Sequence, residues 1–179
     1  MTTLFQGIAA GLLVALACGD SAKDTPPAQR ADAPKAPARA AGPADYCTLL
    51  TETEAEAIVG KALDPPQTKP GGDCWYLKEG GSDFGDVDLM LTVQTLGIRS
   101  KSQFADMVAE QAEKMNAAVK KAGGQDGGFK AEPVPGVGDA AYYLDPSLLV
   151  LVGDRVLNIV APRSQAVAVA AKALPRLES

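Results

Sequence analysis

LLVLVGDRVLNIV, residues 148–160, is the stretch that decides the fold, because it holds two apolar runs separated only by Gly153 and Asp154. A two-residue loop of this composition joins strands that pair as a tight antiparallel hairpin. The first run, Leu148 to Val152, is apolar on both faces, which is typical of a strand in the centre of a sheet. The sequence therefore predicts antiparallel pairing, with this run among the central strands.

Further strands are predicted outside the hairpin. Residues 86–95, DVDLMLTVQT, alternate strictly, so that Val87, Leu89, Leu91 and Val93 share one face. This pattern predicts a half-buried strand. The other predicted strands are Cys74–Lys78, a short one at Phe129–Val134, and Ala140–Leu144.

Three helices are predicted from capping residues and helical spacing. The first two begin with a capping box, Thr51 with Glu54 and Ser100 with Gln103. The predicted helices run from Thr51 to Gly60, from Ser100 to Gly123, and from Ser164 as its cap to Pro175 as its stop. The order of elements predicts an α+β fold: an antiparallel sheet of about five to six strands with helices packed mainly on one face.

The first 45 residues differ in composition from the rest. Ile8 to Ala17 is an uncharged apolar run, which is typical of an export signal and falls short of the roughly 20 residues that span a bilayer. The segment after it is rich in Ala, Pro and balanced charges, and such a composition has too little to bury. We predict a signal peptide at residues 1–17, a lipidated cysteine and Pro/Ala-rich tether at 18–45, and one globular domain at 46–179.

Cys18 closes the apolar run. The quartet at residues 15–18, Ala-Leu-Ala-Cys, resembles the lipobox of bacterial lipoproteins, in which the cysteine is diacylated on sulfur and becomes the new N-terminus. The same letters fit ordinary secretion with cleavage after Ala17, and an uncleaved segment or a misread start codon is a third interpretation. We favour lipidation of Cys18, which predicts a bacterial cell-envelope protein anchored to a membrane on its non-cytoplasmic side.

The chain has three cysteines, so lipidation of Cys18 leaves Cys47 and Cys74 as a pair. In an oxidising compartment the pair is expected to form a disulfide, and closing a loop of about 28 residues stabilises a fold by roughly 3.5 kcal/mol in the chain-entropy treatment. The alternative is a thiolate metal site, for which two cysteines in a chain without histidine make a poor ligand set. We predict one disulfide, no metal and no cofactor.

No residue pattern points to catalysis. The absence of histidine removes the usual general base near neutral pH. The carboxylates of Asp83, Asp86 and Asp88 lack the spacing of a calcium loop, so we interpret them as a solvated hairpin loop, with weak cation binding as the alternative. Gly136, Gly138 and Asp139 precede strand residues rather than a helix, which favours a tight turn over a nucleotide fingerprint.

Several short motifs in a fixed order resemble a known family. They are Cys47-Thr-Leu-Leu-Thr51, a Glu-rich helix ending at Gly60, a second cysteine before Trp75, and PGVGDAA at 135–141 ahead of the hydrophobic hairpin. Together they are similar to small bacterial lipoproteins, best known from actinobacteria, that are described as domain of unknown function 3558. The resemblance covers roughly residues 45–175. It implies a PsbP/Mog1-like fold and paired cysteines, and it implies no catalytic residue or ligand.

Two pairs of adjacent aromatics, Trp75–Tyr76 and Tyr142–Tyr143, are the candidate binding residues. Neighbours on a strand point to opposite faces, so we expect one member of each pair in the core and the other at the surface. The outward members form a candidate contact patch for a protein or an apolar ligand, and plain core packing is the alternative.

The charge of the globular part narrows the choice of partner. Residues 46–179 carry 13 Lys and Arg against 18 Asp and Glu, which argues against nucleic acid or anionic lipid as a direct partner. We therefore predict a membrane-anchored lipoprotein with a non-catalytic domain that binds a protein or envelope component. The alternatives are a carrier of a small apolar ligand and a carboxylate-based envelope enzyme.

Overall fold

The computed structural model describes residues 45–125 and 127–179. The predicted signal peptide, Cys18 and residues 18–44 of the predicted tether lie outside the described residues.

One seven-stranded antiparallel sheet organises the described chain, in the order β1-β2-β3-β7-β6-β5-β4. The strands are β1 (Gln67–Thr68), β2 (Cys74–Leu77), β3 (Val87–Thr95), β4 (Glu132–Pro133), β5 (Ala140–Leu144), β6 (Ser147–Val152) and β7 (Arg155–Val160). The predicted α+β class with an antiparallel sheet is confirmed. The sequence does not predict β1, a two-residue strand at one edge of the sheet, and β4 is shorter than the predicted strand at 129–134.

The hairpin of β6 and β7 lies at the centre of the sheet, as predicted. Val152 pairs with Arg155 across the two-residue loop, and Gly153 takes a positive φ of 59°, which a glycine adopts without steric cost. The side chains of β6 alternate between the two faces of the sheet, and those from Leu148 to Val152 are all buried. Both faces of this strand are therefore covered.

The helices are α1 (Glu52–Val59), α2 (Lys101–Lys121) and α3 (Arg163–Leu177), with short 3₁₀ turns at Tyr46–Leu49 and Phe84–Asp86. The capping box of Thr51 and Glu54 is present. At α2 the Ser100 hydroxyl accepts the N–H of Gln103, whereas the Gln103 side chain accepts from Arg99 instead of Ser100. No described helix is long and apolar enough to cross a membrane.

The predicted limits of α3 are wrong at both ends. The helix begins at Arg163, directly after Pro162, and no side chain caps it. Pro175 lies inside its last turn rather than stopping it. Leu177, beyond the proline, is 1% exposed, so burial of its side chain offsets the hydrogen bond that the proline cannot make.

The two faces of the sheet are covered differently. On the first, which we call the closed face, α1, α3 and the Tyr46–Leu49 turn pack over one continuous core. On the second, which we call the open face, α2 packs through Phe104 and Val108 onto Leu149, Leu151 and Val156. No described residue of β2 or β3 belongs to this second core cluster, so that half of the open face lacks a helix.

The predicted disulfide between Cys47 and Cys74 is confirmed. It joins the Tyr46–Leu49 turn to β2, and Cys74 is fully buried in the closed-face core. Beside it, the Tyr76 hydroxyl donates to the carbonyl of Leu50 at 2.6 Å. The disulfide thus fixes the beginning of the domain onto the sheet.

A second connection ties the two ends of the domain together. The Arg176 guanidinium binds both carboxylate oxygens of Glu54, at 2.6 and 2.8 Å, and also the carbonyl of Leu49 at 2.9 Å. The hydrogen bond from Arg176, together with that from the Thr51 N–H, lowers the pKa of Glu54 from 4.5 to about 2. The ion pair is therefore intact at neutral pH.

We predict that Glu54→Gln lowers the free energy of unfolding at pH 7 by about 1 kcal/mol, since the pair is only partly shielded from solvent. The folded-state pKa is depressed, so this stabilisation is present above pH 4.5 and is lost as the pH falls towards about 2. Urea unfolding at pH 7 and near pH 2 measures the free energy of unfolding of the wild type and of Glu54→Gln. Most of the difference between Glu54→Gln and the wild type should be lost at the lower pH.

Glu52→Gln is the matched control, because Glu52 lies in the same first turn of α1 and makes no ion pair among the described residues. Glu52→Gln should change the free energy of unfolding by no more than about a few tenths of a kcal/mol. Equal losses from the two variants at pH 7 would contradict the role assigned to Arg176.

Candidate functional site

The four predicted aromatic residues do not form one patch. Tyr76 and Tyr143 are the inward members, 0% and 8% exposed, in the closed-face core. Trp75 and Tyr142 are partly exposed on the open face, as strand alternation predicts. Three strands separate β2 from β5, which places these two side chains on the order of 19 Å apart.

Tyr142 belongs to the core beneath α2. Its ring meets that of Phe104 edge-on, with the centroids 5.8 Å apart. Its outer side borders a small cavity discussed below. Trp75, in contrast, lies on the half of the open face that has no helix.

Trp75 begins an apolar row that crosses the sheet. Residues directly opposite in antiparallel strands share a face, and Trp75 pairs with Met90, which pairs with Val160, which pairs with Ser147. All four are partly exposed. Three neighbouring strands therefore present apolar side chains to solvent.

Phe84 extends this row. It lies in the loop between β2 and β3 and is 66% exposed, yet its ring meets Trp75 edge-on at a centroid distance of 5.5 Å. Edge-to-face contacts of this kind favour one ring orientation. We call Trp75, Phe84, Met90 and Val160 the aromatic patch.

Sequence reasoning missed Phe84. The loop was correctly predicted as a hairpin connection, but a single phenylalanine among aspartates carries no periodic signal. Its contact with Trp75 depends on the loop folding back over the strand, which only the three-dimensional structure reveals.

Hydrogen bonds hold the loop that carries Phe84. The side chain of Asp86 accepts the N–H of Ser82 at 3.0 Å and forms an ion pair with Lys78, while Asp83 accepts the N–H of Gly85 at 2.8 Å. The contact with Lys78 lowers the pKa of Asp86 and raises that of Lys78. The loop therefore presents the phenyl ring from a fixed backbone.

Close packing at Gly81 also restricts the backbone of this loop. A Cβ atom there would lie 2.8 Å from the Cβ of Asp86 and 2.9 Å from the carbonyl oxygen of Lys78. Such distances are too short for a side chain, so the compact loop requires glycine at this position.

One cation lies beside the patch. The Lys69 ammonium is 4.8 Å from the centroid of the Trp75 ring and donates to the Gln67 side chain at 2.7 Å. It covers part of one face of the indole, which accounts for part of the burial of Trp75.

The cavities among the described residues include one of about 220 Å³ and one of about 190 Å³. The first is lined by residues 133–142, and the second lies beside Tyr143, Asp145 and Arg163. Both fall below the roughly 300 Å³ at which small-molecule sites begin. Arg163 in the second cavity is already paired with Glu132, and neither cavity includes the aromatic patch.

The acidic residues of the β2–β3 region do not converge. Asp86 pairs with Lys78, and Asp88 pairs with Lys61 at 2.8 Å. Within residues 45–125 and 127–179, no group of three His, Cys, Asp or Glu side chains is arranged to hold a metal ion. The ammonium groups of Lys78 and Lys61 lie opposite these two carboxylates.

The glycine motif before β5 forms a turn, as predicted. The carboxylate of Asp139 in this turn accepts the N–H of Gly153, in the β6–β7 loop, at 2.8 Å. A Cβ at Gly138 would lie 2.5 Å from a methyl group of Val150. The motif therefore joins this turn to the central hairpin.

Comparison of the chain with models of known protein families finds no matching family, and comparison with curated protein sequences finds no matching relative. The resemblance to the lipoprotein family stays a prediction.

We predict that Phe84→Ser changes the free energy of unfolding by no more than about 0.5 kcal/mol, because the ring is mostly exposed. The same change uncovers the indole of Trp75, the only tryptophan in the chain. Acrylamide quenching of tryptophan fluorescence should therefore increase in Phe84→Ser.

Leu96→Ser is the control, since Leu96 is also exposed, at 45%, and makes no aromatic contact with Trp75. Its quenching should equal that of the wild type. Unchanged quenching in Phe84→Ser would show that Phe84 does not rest on Trp75 in solution.

Proposed function

We propose that this chain is an exported bacterial lipoprotein, anchored through Cys18, whose folded part is a non-catalytic domain that binds a protein or envelope component. The aromatic patch carries the proposal. The Phe84 side chain is 66% exposed, and an exposed phenyl ring lowers solubility. A hydrogen-bonded loop holds this ring against Trp75 at the surface, outside the core. Exposed apolar clusters of this kind mark interaction surfaces.

The composition of the patch supports binding of a macromolecule. Aromatic residues and methionine are enriched at protein interfaces, where they supply large contact areas at a small cost in side-chain entropy. The row from Trp75 to Val160 lies on the regular strands β2, β3 and β7, and so it is held in place before a partner arrives. Preorganisation of this kind lowers the entropy cost of association.

The two alternative functions have less support. A carrier needs a cavity that encloses its ligand, and the cavities described above are small and lie away from the patch. A carboxylate enzyme needs acidic groups that converge in a cleft, whereas Asp86 and Asp88 are each held by a lysine. A binding domain fits the exposed aromatic cluster found among the described residues.

The proposed location rests on the sequence and on the disulfide. Disulfides persist in oxidising compartments, and Cys47–Cys74 is of that structural kind because it is built into the core. The short apolar run before Cys18 accounts for export. The acidic globular part makes nucleic acid an unsuitable partner.

We predict that a photoreactive benzophenone side chain at position 84 of the full chain, in cells that produce it, forms a discrete covalent adduct on illumination. Phe84 is the most exposed member of the patch, so a docked partner lies within reach of a side chain at this position. Electrophoresis and mass spectrometry detect the adduct. The same group at position 96 is the control, and equal adducts at both positions, or none at 84, would contradict the proposed surface.

We predict that the mature protein begins at Cys18 and carries a diacylglycerol on the sulfur of that residue. Intact-mass measurement of the purified protein reports the lipid, and Cys18→Ser should remove it and move the protein from the membrane fraction to the soluble fraction. A mature chain that retains Met1, or an unmodified Cys18 at the N-terminus, would contradict the anchor. The folded part is unchanged in either form, which separates this test from the cross-linking experiment.

A further inference from the structure

Carboxylates border the aromatic patch at the β2–β3 loop and on the strands. Four of them make no salt bridge within the described part of the chain, and we call them the acidic rim: Asp64, Asp73, Glu79 and Asp83. Glu79 and Asp83 lie in the loop that carries Phe84, and Asp64 accepts the N–H of Gly80 in the same loop at 3.3 Å. The rim is therefore continuous with the patch on the side of Phe84.

Asp73 closes the rim on the sheet. Its carboxylate accepts the hydroxyl of Thr92 at 2.6 Å, and Thr92 lies two residues beyond Met90 on the same face of β3. The patch is thus bordered by negative charge both on the strands and at the loop.

Nearby lysines do not neutralise this charge. Lys78 and Lys61 are paired with Asp86 and Asp88, and among the described residues no salt bridge joins Lys69 to a rim carboxylate. The pKa of Lys78 is raised chiefly by its hydrogen bond to Asp86, with further contributions from Asp83 and Asp88. The potential at the loop is therefore negative.

We infer that the aromatic patch docks a basic segment of a second protein, in which an apolar or aromatic side chain is flanked by Lys or Arg. The inference rests on the proposed binding function and specifies its partner. The apolar side chain packs on Trp75, Phe84 and Met90, while the flanking cations meet the rim carboxylates and the exposed ring of Phe84. An acidic segment or an anionic lipid surface is repelled by the same charges.

Trp75 makes the inference directly measurable, because the only tryptophan of the chain lies in the proposed contact. The full chain, in a non-ionic detergent, is titrated with three short glycine-spaced peptides that contain one phenylalanine and no tryptophan. Their other side chains are all Lys, all Glu or all Ser. The Lys peptide should shift the emission of Trp75 saturably and bind at least about tenfold more tightly than the other two, and raising salt from about 50 to 300 mM should weaken it.

Matched variants test whether the Lys peptide binds at the aromatic patch and its acidic rim. Neutralising the rim with Glu79→Gln and Asp83→Asn together should weaken the Lys peptide about tenfold and remove most of its salt dependence, while Leu96→Ser should leave its affinity unchanged. Phe84→Ser should weaken all binding at the patch. Unaltered affinity for the Lys peptide after rim neutralisation would overturn the inference.

The outcomes separate the inference from the proposed function. If the Ser or Glu peptide binds as tightly as the Lys peptide, the basic partner is wrong and the binding surface stands. If no peptide changes the emission of Trp75, the inference of a basic partner is also wrong. The cross-linking experiment at position 84 then tests separately whether the patch binds a partner. A cross-linked segment without Lys or Arg beside its apolar contact would likewise overturn the inference.

Discussion

The burial of β6 on both faces is the constraint on which the rest of the structure depends. Its side chains from Leu148 to Val152 are at most 7% exposed, and each buried aliphatic group contributes about 1.5–3 kcal/mol only if something covers it. α3 covers the strand on the closed face, and α2 covers it on the open face. A helix is about 10 Å across and spans roughly two strands, so α2 cannot also cover β2 and β3. The exposed position of the aromatic patch follows from this limit.

Local signals made much of the fold predictable. The capping box at Thr51, the two-residue loop at Gly153 and the pairing of the two remaining cysteines each depend on a few neighbouring residues or on simple counting, and all three are confirmed. The failures have a different cause. Burial of Leu177 decides the end of α3, and β1 exists only because it pairs with β2. The sequence predicted one of the two aromatic residues of the candidate site. The outward position of Trp75 follows from strand alternation, whereas the position of Phe84 depends on how the β2–β3 loop folds back over the strand.

The disulfide and the polar contacts that join the ends of the domain lie on the closed face, and the proposed binding surface lies on the open face. The closed face holds the disulfide, the hydrogen bond from Tyr76 to Leu50, and the ion pair between Glu54 and Arg176, all within one region that joins the two ends of the domain. The uncovered half of the open face contributes little to the core. We therefore expect substitutions there to leave the fold intact, and an exposed phenylalanine is tolerated at position 84.

The edges of the sheet limit how any neighbour can attach. The outer strands β1 and β4 are two residues long, and Pro133 in β4 has no N–H to donate. An incoming chain therefore finds only a short ladder to extend at these two edges, which disfavours strand addition and edge-to-edge aggregation there. Neighbouring copies that meet through these strands would gain few backbone hydrogen bonds by polymerising.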